Sequence, residues 1–297
     1  MSGFSTDWLD LREEADQRAR DADLEARLAD HFAGREELRI VDLGCGTGAN
    51  ARALAAHLPR VQHWRFADND AALLAAARAR MAEWGAAAGD PHGDLHLSAF
   101  GKSLDIAFQQ ADLSGDLSAV IRPDDDLVTA AAFFDLVSPD WIARFAETVA
   151  AAGAVFYTVL IYDGEEVWMP AHDADSAVIA ALHQHQRGDK GFGPAAGPAA
   201  ADILIRRFAE AGYHVRAAPS PWRLDAPDRA LIAALAEGTA EAARETGQID
   251  TRTAEAWRDA RAGAEAATIG HVDVLALPPV LCREQVSKAS SRAHEHG

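Results

Sequence analysis

Cysteine is nearly absent from this chain: Cys45 and Cys282 are the only two in 297 residues. That excludes a disulfide-stapled scaffold and suits a reducing compartment. Basic residues are also in short supply. Lys+Arg total 28 against 46 Asp+Glu, for a formal net charge of −18. No lysine-rich run interrupts that field, so phosphate backbones and anionic membrane surfaces are disfavoured partners. No apolar run reaches membrane-spanning length, and Met1 to Asp10 has no apolar core of signal-peptide length. The expectation is a soluble, cytoplasmic protein with neither nucleic acid nor membrane as partner. No internal repeat is visible, and no domain linker precedes Gly164. At 49% hydrophobic, the chain can build one large α/β domain with additions, or two small domains.

The densest information lies in Ile40-Val41-Asp42-Leu43-Gly44-Cys45-Gly46-Thr47-Gly48-Ala49-Asn50. The apolar run Leu38 to Leu43 predicts a short buried strand. It breaks into glycines at alternate positions, and Asn50 to Leu58 then predicts a helix closed by Pro59. Strand, glycine turn, helix is the first half of a nucleotide-binding βαβ unit. Glycines serve here because a Cβ would block both the sharp turn and the approach of a ligand to bare backbone. The helix start adds free N–H groups. The pattern Gly44-x-Gly46-x-x-Ala49 satisfies the dinucleotide fingerprint in its Gly/Ala form.

Further along, Trp64 to Ala67 predicts a second strand ending at Asp68-Asn69-Asp70, followed by an alanine-rich helix from Ala71 to Ala88 that Gly89 stops. Asp68, at the strand end 24 residues after Gly44, is placed to accept both hydroxyls of a ribose. Asp70 is better placed as the helix cap. Leu95–Ser98 and Leu104–Phe108 predict a hairpin whose second arm is strand three, running into Gln110-Ala111-Asp112-Leu113. Asp126 to Ala131 is strand four, with Phe133, Phe134 and Asp135 just beyond it. Ser138-Pro139 opens a helix, and Ala154 to Ile161 is strand five. Ahead of all this, Ser5, Thr6 and Asp7 are candidate caps for a helical extension that Gly34 ends, with Arg12 or Arg20 facing inward to meet a carboxylate. Beyond Tyr162-Asp163-Gly164, a helix is expected over Asp173–His185, then a glycine- and proline-rich loop from Gly188 to Pro198. Strand six, two alanine-rich helices and strand seven (Thr268–Leu277) follow.

Asp42-x-Gly44-x-Gly46-x-Gly48 resembles motif I of the class I S-adenosylmethionine-dependent methyltransferases. It includes the acid on the strand and the third alternate glycine, which the dinucleotide pattern does not require. The resemblance covers residues 38 to 161 and the two final strands, with Asp68 and Asp112 at strand ends in the right order. It implies an α/β fold: a doubly wound, mostly parallel seven-stranded sheet with helices on both faces and the last strand antiparallel. Residues 1–35 would be an N-terminal helical extension and 36–286 the methyltransferase domain. Substrate-side insertions are expected at 164–198 and 225–267, and a disordered tail at 287–297. The cofactor implied is S-adenosylmethionine. Its site would comprise Asp42, Gly44, Cys45, Gly46, Gly48, Asn50, Asp68, Asn69, Asp112, Leu113 and Ala131, with Asp112 meeting the adenine amino group. The extension and insertions are where family members build specificity, so the resemblance does not carry over a substrate.

The reaction implied is methyl transfer to a small-molecule acceptor, with an oxygen, nitrogen or carbon centre left open. Phe133, Phe134 and Tyr162 would line the acceptor space, with Lys190 and Arg12 as further contacts. Asp135 and His183 are the candidate bases, and the Gly188–Gly197 stretch is a candidate lid. Two other functions compete. An NAD(P)-dependent oxidoreductase would share the glycine turn. The Tyr-x-x-x-Lys pair of short-chain dehydrogenases is absent, since Tyr157, Tyr162 and Tyr213 are followed four later by Ile161, Glu166 and Ala217. A non-catalytic scaffold of the same fold is the other. His172, His183 and His185 are not expected to bind metal, because positions i and i+2 of a helix do not share a face.

Overall fold

Strand β1 (Glu37–Leu43) is apolar on both faces because both faces are covered. Leu38 and Ile40 enter one buried cluster, Val41 and Leu43 a second on the other side of the sheet. The structure, a computed structural model, describes residues 4–88 and 93–279. The Gly89 helix stop, Cys282 and the tail expected from residue 287 lie outside the described residues.

The strands are β1, β2 (Val61–Asp68), β3 (Ala86–Ala88), β4 (Leu95–Ala99), β5 (Lys102–Gln110), β6 (Leu127–Ala131), β7 (Val155–Met169), β8 (His214–Pro219), β9 (Trp222–Leu224) and β10 (Ala266–Leu277). They form one mixed sheet in the order β3-β4-β5-β2-β1-β6-β7-β10-β8, with β9 paired to β10. The path from β5 to β7 is parallel. Strand β10 runs antiparallel to β7, β8 and β9, and β3-β4-β5 is an antiparallel edge. The sheet is thus larger and more mixed than the seven strands expected.

The helices are α1 (Thr6–Ala19), α2 (Ala22–Phe32), α3 (Ala49–Leu54), α4 (Ala71–Trp84), α5 (Pro139–Ala152), α6 (Asp175–Gln186), α7 (Ala200–Glu210), α8 (Arg229–Glu245) and α9 (Thr251–Ala262). Residues of α2, α3, α4 and α8 fill one core cluster, and those of α5 and α7 fill the other. Capping follows the sequence signals. The Ser138 hydroxyl accepts from the Trp141 N–H with Pro139 at the helix start, and Asp70 accepts from the Ala72 N–H.

Several boundaries differ from expectation. Helix α4 stops at Gly85 because β4 crosses there: a Cβ on Gly85 would lie 2.8 Å from Leu97 Cδ1. The alanines after it pair with β4 instead of continuing the helix. The N-terminal extension is two helices, since Asp21 caps a new one by accepting from the Leu24 N–H at 2.8 Å. Strand five, expected to end at Ile161, runs further. Strand β7 continues to Met169 because β10 pairs with it as far as Ala266↔Met169. The 188–198 loop is packed down: Phe192 meets the rings of Phe133 and Trp141, and the Ala196 N–H donates to the Val137 carbonyl at 2.7 Å.

One buried carboxylate ties these parts together. Leu160 takes φ of +60° inside β7, beside a register shift between β7 and β10. Asp273 of β10 accepts from the Leu160 N–H (2.8 Å), the Asp21 N–H (2.9 Å) and the Ser220 hydroxyl (2.5 Å). A single side chain thus fixes the bulge, the α1–α2 junction and the β8–β9 turn. Removing it strands two buried donors, those of Leu160 and Ser220, at about 1–3 kcal/mol each, and a half-buried one at Asp21. Asp273→Ala is expected to lower stability by at least ~2 kcal/mol in denaturant unfolding; a loss below about 1 kcal/mol would show that water replaces the carboxylate.

Candidate active site

At the carboxyl edge of β1 the chain turns through Gly44, Gly46 and Gly48, with φ of +61°, +53° and +80°. These values lie in the left-handed region, which glycine enters without strain. Gly44 N–H donates to the Ala67 carbonyl at 2.8 Å and so lays the turn over the end of β2. A Cβ on Gly44 would lie 2.9 Å from the Phe133 ring, one on Gly46 3.1 Å from Leu9, and one on Gly48 2.9 Å from Phe66. The cradle is therefore bare backbone by steric necessity, with α1 lying across it through Leu9.

Asp68 closes β2 opposite the turn. Its Oδ2 accepts from the Gly46 N–H and its Oδ1 from the Asp70 N–H, both at 3.0 Å. Asn69 is exposed beside it. Asn50, in the first turn of α3, donates to Asp42 Oδ1 (2.8 Å) and Thr129 Oγ1 (3.1 Å) and accepts from Arg20 Nη2 (2.9 Å). Asp42 Oδ2 and Thr47 Oγ1 are buried without a partner. Cys45 is buried in the turn, and burial pushes its thiol up.

Asp112 lies just past β5. It sits in an exposed turn, its Oδ1 accepting from both Ser114 N–H and Ser114 hydroxyl, and those bonds lower its pKa. Leu113 is buried, and its carbonyl accepts from Trp141 Nε1 at 2.7 Å. Ala131 is partly buried at the end of β6.

Beyond β6 and β7 stand polar and aromatic side chains that the sequence pointed to only in part. Asp135 stands on a 3₁₀ turn after Phe133, and desolvation raises its pKa to about 6. The Tyr162 hydroxyl lies 3.0 Å from Glu166 Oε1 and 3.1 Å from His183 Nε2, while Trp168 Nε1 donates to Glu166 Oε2 at 2.9 Å. Burial raises the Tyr162 phenol and the Glu166 carboxyl, and it lowers His183. From α1, Arg12 reaches Asp16 (2.8 Å) and lies over the Trp222 ring (5.2 Å); Trp222 Nε1 donates to Asp16 Oδ1 at 3.0 Å. His271 stands opposite Tyr162 in the β7–β10 register, its ring 6.3 Å from the Tyr162 ring. Leu9, Arg12 and Asp16 share one helical face, so the element covering the glycine turn also reaches Trp222.

One expected acceptor contact is corrected. Phe134 is 0% exposed, packed among Trp141, Phe145 and Phe156, because the 3₁₀ turn rotates it into the core. Lys190 stands partly buried in the 188–198 loop. The three histidines diverge: His183 meets Tyr162, His185 meets Glu245 at 2.9 Å, and His172 Nδ1 accepts from the Ala174 N–H. Among the described residues no group of three or more His, Cys, Asp or Glu forms a metal site. The sequence reading missed Asp16, Glu166, Trp222 and His271. The available signal was His271 and Asp273, which interrupt an otherwise apolar strand.

Burial raises the Asp42 pKa to about 7. The folded chain holds a proton there that the unfolded chain releases near the ordinary carboxylate value. This group's stability contribution is full below that value and is lost as pH climbs through about 7. Asp42→Asn keeps the acceptor for Asn50 and removes the titration. Between about pH 4 and 7 the wild-type melting temperature is expected to fall more than that of the variant; an equal fall in both would place the titration elsewhere.

A family profile described as a methyltransferase domain matches residues 40–123, the segment carrying the glycine turn, Asp68 and Asp112. No curated protein sequence matches the chain. Among solved structures, the chain is similar to YcgJ from Bacillus subtilis, at 12% identity and a TM-score of 0.50, with 87% of this chain and 99% of that one covered. It is also similar to an S-adenosylmethionine-dependent methyltransferase from Geobacter sulfurreducens in complex with S-adenosylhomocysteine. There the identity is 16% and the TM-score 0.44, with 94% of this chain and 100% of that one covered. The bare glycine cradle, the orphaned Asp42 and Thr47 oxygens and the Asp68 carboxylate fit a ligand with a ribose and a polar tail. Residues 40–123 thus match a methyltransferase-domain profile, and the fold around them is shared with YcgJ.

Proposed function

We propose that the protein transfers a methyl group from S-adenosylmethionine to a small-molecule acceptor held beyond β6 and β7. The observation that carries this is the left-handed glycine turn at the carboxyl edge of β1 with Asp68 facing it. In open α/β sheets ligands sit at that edge. Asp68 would take the ribose hydroxyls, since each carboxylate oxygen keeps a lone pair beyond its backbone bond. Asp112 would meet the adenine amino group, with Asn69, Leu113 and Ala131 along the nucleoside. Asp42, Cys45 and Asn50 would support the turn beneath the amino-acid portion.

The cofactor supplies an electrophilic methyl group on a sulfonium. The protein's task is alignment, water exclusion and removal of the acceptor's proton. Phe133 and Tyr162 wall the space, Arg12 borders it, and Asp135 and His183 are the groups proposed to take the proton. We assign the helical pair at 1–35 to the cover of this site and residues 36–286 to one catalytic domain, with 164–198 and 225–267 on the acceptor side. Among the described residues no helix is long and apolar enough to cross a membrane, and a cytoplasmic location is part of the proposal.

Titration calorimetry with S-adenosylhomocysteine tests the reading. Asp68→Ala is expected to weaken binding roughly ten- to a hundredfold, the loss of a charge-assisted hydrogen bond. Asp70→Ala should lower the melting temperature through the lost cap and leave affinity nearly intact. An affinity loss confined to Asp70→Ala would reverse the two roles.

A further inference from the structure

Two guanidinium groups reach the glycine turn and its helix, and they differ in what they have left to offer. Arg52 is engaged by Glu13 through Nε (2.8 Å) and Nη2 (2.5 Å) and by the Thr47 carbonyl through Nη1 (2.7 Å). Arg20 closes α1, and its side chain is 4% exposed. Its Nε donates to Glu25 Oε1 at 2.7 Å and its Nη2 to Asn50 Oδ1 at 2.9 Å. It also stands over the Tyr157 ring, 6.0 Å from the centroid. A guanidinium carries five N–H donors, and Arg20 Nη1 has no hydrogen bond among the described residues.

Asn50 joins this arginine to the acid of β1. Its Nδ2 donates to Asp42 Oδ1 at 2.8 Å and to Thr129 Oγ1 at 3.1 Å. Asp42, Thr129 and Tyr157 are register neighbours on β1, β6 and β7, so their side chains rise side by side from one face of the sheet. At the turn and on this face three oxygens are buried without a partner: Asp42 Oδ2, Thr47 Oγ1 and the Tyr157 hydroxyl. Asp42 and Tyr157 are 0% exposed and Thr47 1%. Buried polar atoms find partners, so orphans beside an arginine with unused donors point to a polar ligand.

The set has two sides of opposite character. Asp42 Oδ2 is an acceptor, whereas Arg20 Nη1 and the Tyr157 hydroxyl are donors. Asn50 spaces Asp42 from Arg20 by the width of one amide, comparable to the spacing of an ammonium and a carboxylate across one α-carbon. Arg20 also lines a cleft of about 450 Å³ at the α1–α2 junction, together with Arg18 and Arg223. Arg18 is paired with Asp228, and Arg223 has no ion pair among the described residues. In a chain of net charge −18, negative charge is favoured toward that side and positive charge toward Asp42.

We propose that Arg20, with the Tyr157 hydroxyl, holds the carboxylate of the cofactor's amino-acid tail, while Asp42 faces its ammonium group. The proposal rests on the cofactor reading above. It makes the N-terminal extension part of cofactor recognition. The α1–α2 junction, fixed to Asp273 through the Asp21 N–H, carries the group that tells a cofactor with an amino-acid tail from a nucleoside without a carboxylate.

Calorimetry compares S-adenosylhomocysteine with its decarboxylated analogue, which keeps the nucleoside and the amine. The wild type is expected to bind S-adenosylhomocysteine at least roughly tenfold more tightly. In Arg20→Gln, S-adenosylhomocysteine is expected to weaken roughly tenfold or more and the analogue by less than about twofold. Should Arg20→Gln not fold, Tyr157→Phe decides, because the hydroxyl it removes bonds nothing in the fold. There a loss of roughly threefold or more confined to S-adenosylhomocysteine is expected, and no loss overturns the proposal. Equal effects of Arg20→Gln on both ligands, or a wild type that binds the two alike, also overturn it and leave Arg20 a structural partner of Asn50. Failure of the wild type to bind either ligand overturns the cofactor reading instead, so the two failures are distinguishable.

Discussion

The constraint on which the rest depends is the absence of side chains at Gly44, Gly46 and Gly48. Each holds a left-handed φ, and a Cβ at each would fall about 3 Å from a packed group: Phe133, Leu9 and Phe66 respectively. These three neighbours come from the acceptor side, from the N-terminal helix and from β2. The turn is thus the point where cofactor backbone, cover and acceptor wall meet. A side chain there would disturb all three at once, which is why a short glycine pattern organises so large a part of the molecule.

Polar contacts extend that arrangement outward. Asn50 joins Asp42 on β1, Thr129 on β6 and Arg20 at the α1–α2 junction. Arg52 of α3 forms a nearly buried pair with Glu13 of α1 (2.5 Å) and also donates to the Thr47 carbonyl in the turn. The N-terminal helices are therefore bonded to the cofactor loop and, through Asp273, to β7 and β10. Breaking a buried pair from one side is costly, commonly about 3–5 kcal/mol, so this cover is an integral part of the site. The acidic character of the chain is not spread evenly in its consequences. On the surface it steers approaching ligands; at Asp135 and Glu166, burial raises the carboxyl pKa instead.

The cofactor half of the site was legible in the sequence because its residues are local. Strand, glycine turn and helix lie within one short stretch, and Asp68 and Asp70 separate into strand end and helix cap by two positions. The parallel strands read as apolar runs for the same reason. Of the acceptor half, Arg12 and Asp135 were named from the sequence, but Asp16, Glu166, Trp222 and His271 were not. Glu166, Trp222 and His271 are placed by pairing of β7 with β10 and of β9 with β10, and Asp16 meets Trp222 across 206 residues of sequence. Periodicity carries no trace of such pairing. Phe134 shows the converse error: its position just past a strand suggested a wall residue, but one turn of 3₁₀ helix sends it to the core. The alanines after Gly85 carried helix propensity and still became strand, because β4 offered them backbone partners.

Thermal denaturation in the presence of S-adenosylhomocysteine, NAD and NADP, each in turn, tests the central claim most directly. A ligand that binds only the folded state stabilises it by about 2.7 kcal/mol at a hundredfold excess over its dissociation constant. The cradle described here predicts a rise in melting temperature with S-adenosylhomocysteine and none with either dinucleotide. A rise with NADP and none with S-adenosylhomocysteine would contradict it.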